Sequence, residues 1–336
     1  MRRPETMLVM ARDTLRTQFG DEELARLRTT ARLGEPVHTD ELDSPRVRTR
    51  LAEVEVLLTS WGCPPLTEEV LRAAPRLRAV LHAAGTVRHH VSPAVFERGL
   101  LVTTAADVNA EPVARYTLAA VLLALKKVPF LAADARTFRE DWSYLARHGD
   151  LSGRDRTIVI VGFSRVGRRV VRLLRELEVG RVLVVDPVVD PAEVSLAGAE
   201  PVTLNEALPQ ADVLSLHAPS LPQTRHMIGA AELAALPDGA VLINTARGAL
   251  VDTAALERAC AIRRLYAILD VTDPEPLPAT SVLYDLPNVV LTPHVAGSLG
   301  SETRRMSAAA LTELARYAVG LPPLAPVTRQ TLAAQA

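Results

Sequence analysis

Between residues 157 and 292 the chain returns six times to a short, nearly unbroken aliphatic run. The runs are Thr157-Ile-Val-Ile-Val161, Arg181-Val-Leu-Val-Val185, Asp212-Val-Leu-Ser-Leu216, Ala240-Val-Leu-Ile-Asn244, Tyr266-Ala-Ile-Leu-Asp270 and Asn288-Val-Val-Leu-Thr292. Strands that are apolar at consecutive positions are buried on both faces, as in a parallel sheet covered by helices. The stretches between them carry helical periodicity, so this half reads as a doubly wound α/β sheet. A looser series precedes it: Met7–Met10, Val54–Thr59, Leu77–Leu81 and Leu100–Thr103, with helices expected over Asp21–Thr30, Thr67–Ala74 and Ser92–Arg98. Thr67 or Ser92 is placed to cap its helix. Two Rossmann-like or flavodoxin-like domains with doubly wound parallel sheets are therefore expected.

A long helix is expected from Glu111 to Lys127, with Pro112 in its first turn, where a missing N–H is harmless. Val128–Arg156 reads as irregular. A last helix, about Ser301 to Val319, could cap the second domain or return to the first, and the tail from Leu321 reads as a loose end. At 336 residues the chain has room for two cores. A net charge of -1 and 4% aromatics argue against nucleic acid or an anionic membrane as partner. The longest apolar stretch, Leu118–Leu125, stops at Lys126-Lys127, short of a membrane span. Cys63 and Cys260 have no metal-type spacing, so neither a metal site nor a disulfide framework is expected, and a cytoplasmic location is the default.

The segment Gly162-Phe-Ser164-Arg165-Val166-Gly167 follows a strand and opens an amphipathic helix. In that context it is a dinucleotide fingerprint: a tight turn at Gly162, close helix packing at Gly167, and pyrophosphate at the helix N-terminus. Asp186, 24 residues beyond Gly162, ends the next strand where a carboxylate would bind ribose hydroxyls. No Arg adjoins it to receive a 2′-phosphate, so NAD is favoured over NADP. Ser164 replaces the middle glycine; its Cβ restricts backbone approach, and its hydroxyl could donate instead. The last three strands each end in a loop with one ionisable group of the kind carbonyl reduction needs: Arg247, Glu275 and His294.

With Leu216-His-Ala-Pro-Ser-Leu-Pro-Gln-Thr224, Asn244-Thr-Ala-Arg247-Gly248, Asp270 through Glu275-Pro-Leu-Pro278, and Thr292-Pro-His294-Val-Ala-Gly297 added, the chain resembles the D-isomer-specific 2-hydroxyacid dehydrogenases. The resemblance implies that Arg247 holds the substrate carboxylate and that His294 exchanges a proton with the C2 oxygen. Glu275 would orient the imidazole. Asp270 would lie near the nicotinamide amide and His217 and Pro219 near its ribose, with Thr224, Thr245, Ala246 and Gly297 completing the cofactor contacts. It further implies a discontinuous substrate domain (1–107 plus 298–336) around an NAD-binding Rossmann domain (108–297), with a cleft between them, and a homodimer. The loop Ala84-Gly85-Thr86-Val87-Arg88-His89-His90 departs from the family pattern. Thr86 and Val87 are the expected amide donors to substrate. Arg88, His89 and His90, with Arg115 further on, make that edge more cationic, as would suit a substrate with an extra anionic group or would follow from neutral drift. Trp61 and Trp142 could wall the pocket, or sit in the core. An NAD(H)-sensing binding protein of the corepressor type, and formate- or phosphite-type oxidation, stay open as alternatives.

Overall fold

The structure is a computed structural model in which residues 2–334 are described. Residues up to Asn109, with those from Ser298 to the end of the described chain, form one unit, and Ala110–Gly297 form a second.

The first unit holds a five-stranded parallel sheet of β1 (Glu5–Val9), β2 (Arg32–Thr39), β3 (Val56–Thr59), β4 (Ala79–His82) and β5 (Leu101–Thr104), in the order β2-β1-β3-β4-β5. Alternation along each strand splits its core in two: Met7, Val9, Leu57 and Val80 face one layer, and Leu8, Met10, Leu58 and Leu81 the other. The helix Arg304–Ala318 lies in the latter layer, with Leu311 and Leu314 fully buried. Each such leucine contributes about 1.5–3 kcal/mol, which is why the last helix returns to the first sheet. Thr67 caps Glu68–Ala73 by accepting from the Val70 N–H. Ser92 forms no such bond and donates to the Leu66 carbonyl at 2.7 Å.

The tail is not the loose end its composition suggests. The Thr104 and Val327 N–H groups bond to Ala325 and Val102 carbonyls, Val327 is buried, and the Glu313 carboxylate accepts from the N–H groups of Leu324 and Ala325. These long-range backbone bonds anchor a segment with no periodicity of its own. β2 was also absent from the expected series. It is a half-exposed edge strand containing Gly34 and Pro36, so it lacks the aliphatic signature of a buried strand.

The second unit carries β6 (Thr157–Val161), β7 (Arg181–Val185), β8 (Glu200–Pro201), β9 (Val213–Leu216), β10 (Val241–Asn244), β11 (Tyr266–Leu269) and β12 (Val289–Leu291). All pair parallel in the order β12-β11-β10-β9-β6-β7-β8. The chain winds outward from β6 to β8 and then restarts at β9 beside β6. The carboxyl ends of β6 and β9 therefore form the switch point where such sheets bind ligands.

Two expectations about the connecting helices are corrected. The long helix runs Ala106–Leu125, so Pro112 is interior and removes a bond to the Val108 carbonyl. It is long and apolar enough to cross a membrane on composition alone, but Ala114, Ala120, Val121, Ala124 and Leu125 pack in the core of the second unit. Val128–Thr137 is helical rather than irregular, with Phe130 buried. Neither tryptophan is a core residue: Trp61 is 39% and Trp142 73% exposed.

Candidate active site

Gly162 sits at φ +98°, and a Cβ there would strike the backbone of His217 and Ala218. Only glycine lets the β6 turn lie against β9 in this way. A Cβ on Gly167 would overlap the Gly162 carbonyl, so the helix Arg165–Leu174 starts in contact with the turn. Ser164 takes the place of the middle glycine at the start of the helix. It is the helix N-cap, accepting from the Gly167 N–H at 3.4 Å, with its O–H not used in that contact. Arg165 is exposed in the first turn, and Val166 packs partly against the core. The Asp186 carboxylate accepts the Phe163 N–H at 2.7 Å and those of Val188 and Val189 at 2.9 and 3.2 Å. This ties the end of β7 to the fingerprint turn.

His217, 4% exposed, shares a hydrogen bond of 2.9 Å between its Nε2 and the Ser215 hydroxyl, while its Nδ1 is buried without a partner. Burial pulls its pKa down to about 3, so the ring is neutral. The following loop is closed by Thr224, whose hydroxyl donates to the Pro219 carbonyl at 2.6 Å and accepts the Leu221 N–H.

The loops after β10, β11 and β12 leave the same edge. Asn244 shapes the first: its Oδ1 accepts the Ala246 N–H and its Nδ2 donates to the Arg247 carbonyl. Thr245 is buried and shares a 2.9 Å hydroxyl bond with Thr117 of the long helix. The Arg247 guanidinium is half-buried and donates to the Ala246 carbonyl. A Cβ on Gly248 would overlap the Thr272 carbonyl, so the Arg247 loop lies backbone-to-backbone against the loop that leads to Glu275.

Asp270 organises the third loop, a role sequence reasoning missed. Its carboxylate is 2% exposed and accepts the Thr292 hydroxyl at 2.6 Å and the N–H groups of Val295 and Ala296 at 2.8 Å each. Its own carbonyl accepts the His294 N–H at 3.0 Å. Thr292 in turn accepts from the Tyr116 hydroxyl at 2.9 Å. Residues 292–296 are thereby wrapped around one buried carboxylate, which holds His294 at φ +54°, a strained conformation for a side-chain-bearing residue. The outcome is a direct bond of 2.7 Å between His294 Nδ1 and Glu275 Oε1, with Nε2 left facing outward from an exposed ring. Beneath the pair a cavity of about 670 Å³ is lined by apolar groups including Leu277, Tyr284 and Leu291. Gly297 ends the second unit.

In the first unit, the N–H groups of Gly85, Thr86 and Val87 donate to no acceptor among the described residues, and the Val87 side chain is fully buried. The cationic edge expected beside them is largely turned inward. Arg88 donates to the Leu332 carbonyl at 3.0 Å, and His90 Nδ1 lies 2.6 Å from the Cys63 carbonyl. The docked tail and the Cys63 loop supply acceptors that hold both side chains, leaving His89 exposed. Arg115 pairs with Glu111 one helical turn away.

Residues 118–296 match the family model described as "D-isomer specific 2-hydroxyacid dehydrogenase, NAD binding domain". The chain belongs to the D-isomer-specific 2-hydroxyacid dehydrogenase family. Its relatives include a glyoxylate reductase of Korarchaeum cryptofilum, 34% identical over 79% of this chain and 81% of that one. A D-3-phosphoglycerate dehydrogenase of Mycobacterium tuberculosis is 33% identical over 80% of this chain; the chain spans about half of that relative, 51%. A solved phosphoglycerate oxidoreductase of Rhizobium etli superposes with a TM-score of 0.82 at 25% identity, covering 98% of this chain and 100% of that one.

The second unit suits the NAD that its family binds. Gly162 and Gly167 form a cradle that any Cβ would fill, the unpartnered Nδ1 of His217 lies at the same switch point, and no Arg adjoins Asp186.

Proposed function

We propose that this chain is an NAD-dependent dehydrogenase that interconverts a small 2-oxo acid and its D-2-hydroxy acid, working chiefly as a reductase. The observation that carries the reading is the Glu275–His294 pair at 2.7 Å, built on a loop templated by buried Asp270. Gly162, Ser164, Arg165, Val166 and Gly167 hold the pyrophosphate, and Asp186 the ribose hydroxyls. His217, Pro219, Thr224, Thr245, Ala246, Asp270 and Gly297 surround the nicotinamide half. When bound, NADH supplies the hydride.

Arg247 pairs with the substrate carboxylate and polarises the C2 carbonyl, a task suited to a planar guanidinium. In the first unit, the free N–H groups of Thr86 and Val87 are donors of the kind a substrate carboxylate takes. Nε2 of His294, as imidazolium, gives its proton to the carbonyl oxygen and takes it back in the reverse direction. Glu275 accepts from Nδ1, which fixes the orientation of the ring and leaves Nε2 toward the substrate. The inward-turned Arg88 and His90 favour a monoanionic substrate over one with a second anionic group.

A panel of 2-oxo acids assayed by NADH consumption tests the reading. Turnover on one member should fall by about 10²-fold or more in Arg247→Ala and in His294→Ala. NADH binding without turnover of any member would overturn it. We further propose a homodimer, supported by the exposed apolar residues Leu122, Leu123, Val128, Trp142 and Leu145 of the second unit. Light scattering should report twice the chain mass. A cytoplasmic location fits two free, buried cysteines whose thiols burial pushes up to about 12.

A further inference from the structure

At the amino ends of β9 and β10, opposite the edge that carries Arg247 and His294, lies a cavity of about 170 Å³. Lys127 lines it. The chain has two lysines, Lys126 and Lys127, and the structure treats them differently. Lys126 is exposed, whereas Lys127 stands at φ +49° between the long helix and the helix Val128–Thr137, with its ammonium folded inward. Nζ donates to the Gly239 carbonyl at 2.9 Å and sits 4.0 Å from the Tyr266 ring centre.

No carboxylate pairs with it among the described residues, because the acids nearby have other partners. Arg156 takes Asp150 and Asp212, Arg264 takes Asp238, and His148 takes Asp134. The carbonyl and the aromatic face are weaker partners for an ammonium than a carboxylate would be, and a short acyl group is small beside the cavity.

We propose that Lys127 is an acylation site, a half-buried amine that takes a short acyl group from an activated acyl donor. Its neutral nitrogen attacks the donor's carbonyl carbon. A C–N bond forms, the donor's C–S or C–O bond breaks to release thiolate or phosphate, and the nitrogen's proton passes to water. The amide formed keeps an N–H for the Gly239 carbonyl, while the charge and its contact with the Tyr266 ring are lost. Burial first, then the Arg156 charge, pull the Lys127 pKa down to about 8, with Asp212 opposing. The neutral nucleophile is therefore present near neutral pH, while an exposed lysine is almost wholly protonated there.

The full-length chain and its Lys126→Arg and Lys127→Arg variants would be treated with acetyl phosphate in one arm and acetyl-coenzyme A in the other. Peptide mass spectrometry then follows each lysine separately. Near neutral pH, Lys127 should be acetylated about tenfold or more faster than Lys126, with the gap narrowing as pH rises. Lys126→Arg should keep the fast reaction and Lys127→Arg lose it. Preference in either arm supports the site and identifies the donor type. Equal or faster labelling of Lys126 in both arms overturns it.

Discussion

Gly248→Ala tests whether the loops that carry Arg247 and Glu275 are assembled by backbone contact, because it removes no charged or hydrogen-bonding group. The new methyl would lie 2.5 Å from the Asp273 nitrogen and closer still to the Thr272 carbonyl, where side-chain carbons do not approach within 3.0 Å. Neither neighbour is the end of a flexible side chain, so the two loops must separate by about 1 Å. Overpacking of this kind costs about 3 kcal/mol. A displacement of that size between Arg247 and the Glu275–His294 pair should cost about 10²-fold in turnover. The fingerprint turn and Asp186 lie on other loops and only Thr245 and Ala246 share the displaced one, so NADH affinity should fall less than kcat/KM. The assay is NADH consumption with the best 2-oxo acid, paired with NADH titration and thermal melting. A variant with kcat/KM and Tm close to those of the parent would refute the claim that this close approach sets the site.

Two other predictions concern charge. His82 and His217 are each buried and held down to about 3, one in each unit. Above the ordinary imidazole pKa neither form is charged; as pH falls from about 6.5 toward 3 only the unfolded chain takes up these protons, so each group removes about 1.4 kcal/mol of stability per pH unit. Urea midpoints measured across that range should fall accordingly, and His217→Gln should flatten the slope for the second unit; an unchanged slope would contradict a neutral buried ring. For cofactor choice, kcat/KM should favour NADH over NADPH, and Asp186→Ser should shrink that preference by roughly tenfold as a carboxylate facing the 2′-phosphate is lost. Equal use of both cofactors by the parent would sink the assignment of Asp186.

The strands of the second sheet were legible almost to the residue because burial on both faces demands unbroken aliphatic runs, as in Thr157–Val161 and Arg181–Val185. The placement of three loops was legible too: those carrying Arg247, Glu275 and His294 each follow such a strand, and parallel strands put their ends on one edge. What depended on contacts distant in sequence could not be read. β2 is an edge strand with Gly34 and Pro36, and the tail is ordered by partners more than two hundred residues away, among them Val102. Arg88 and His90 looked like a cationic rim until the tail and the Cys63 loop supplied acceptors for them.

The same division holds at the reacting centre. The sequence by itself determined two parallel α/β sheets, a nucleotide turn, and a cation, a carboxylate and an imidazole on neighbouring loops, because periodicity and strand polarity are local properties. Tertiary structure alone decided that Asp270 templates the His294 loop, that Gly248 admits the Arg247 loop against Thr272, and that Lys127 is half-buried while Lys126 is exposed. Those outcomes depend on which backbone groups meet across the sheet edge, and no spacing along the chain encodes them.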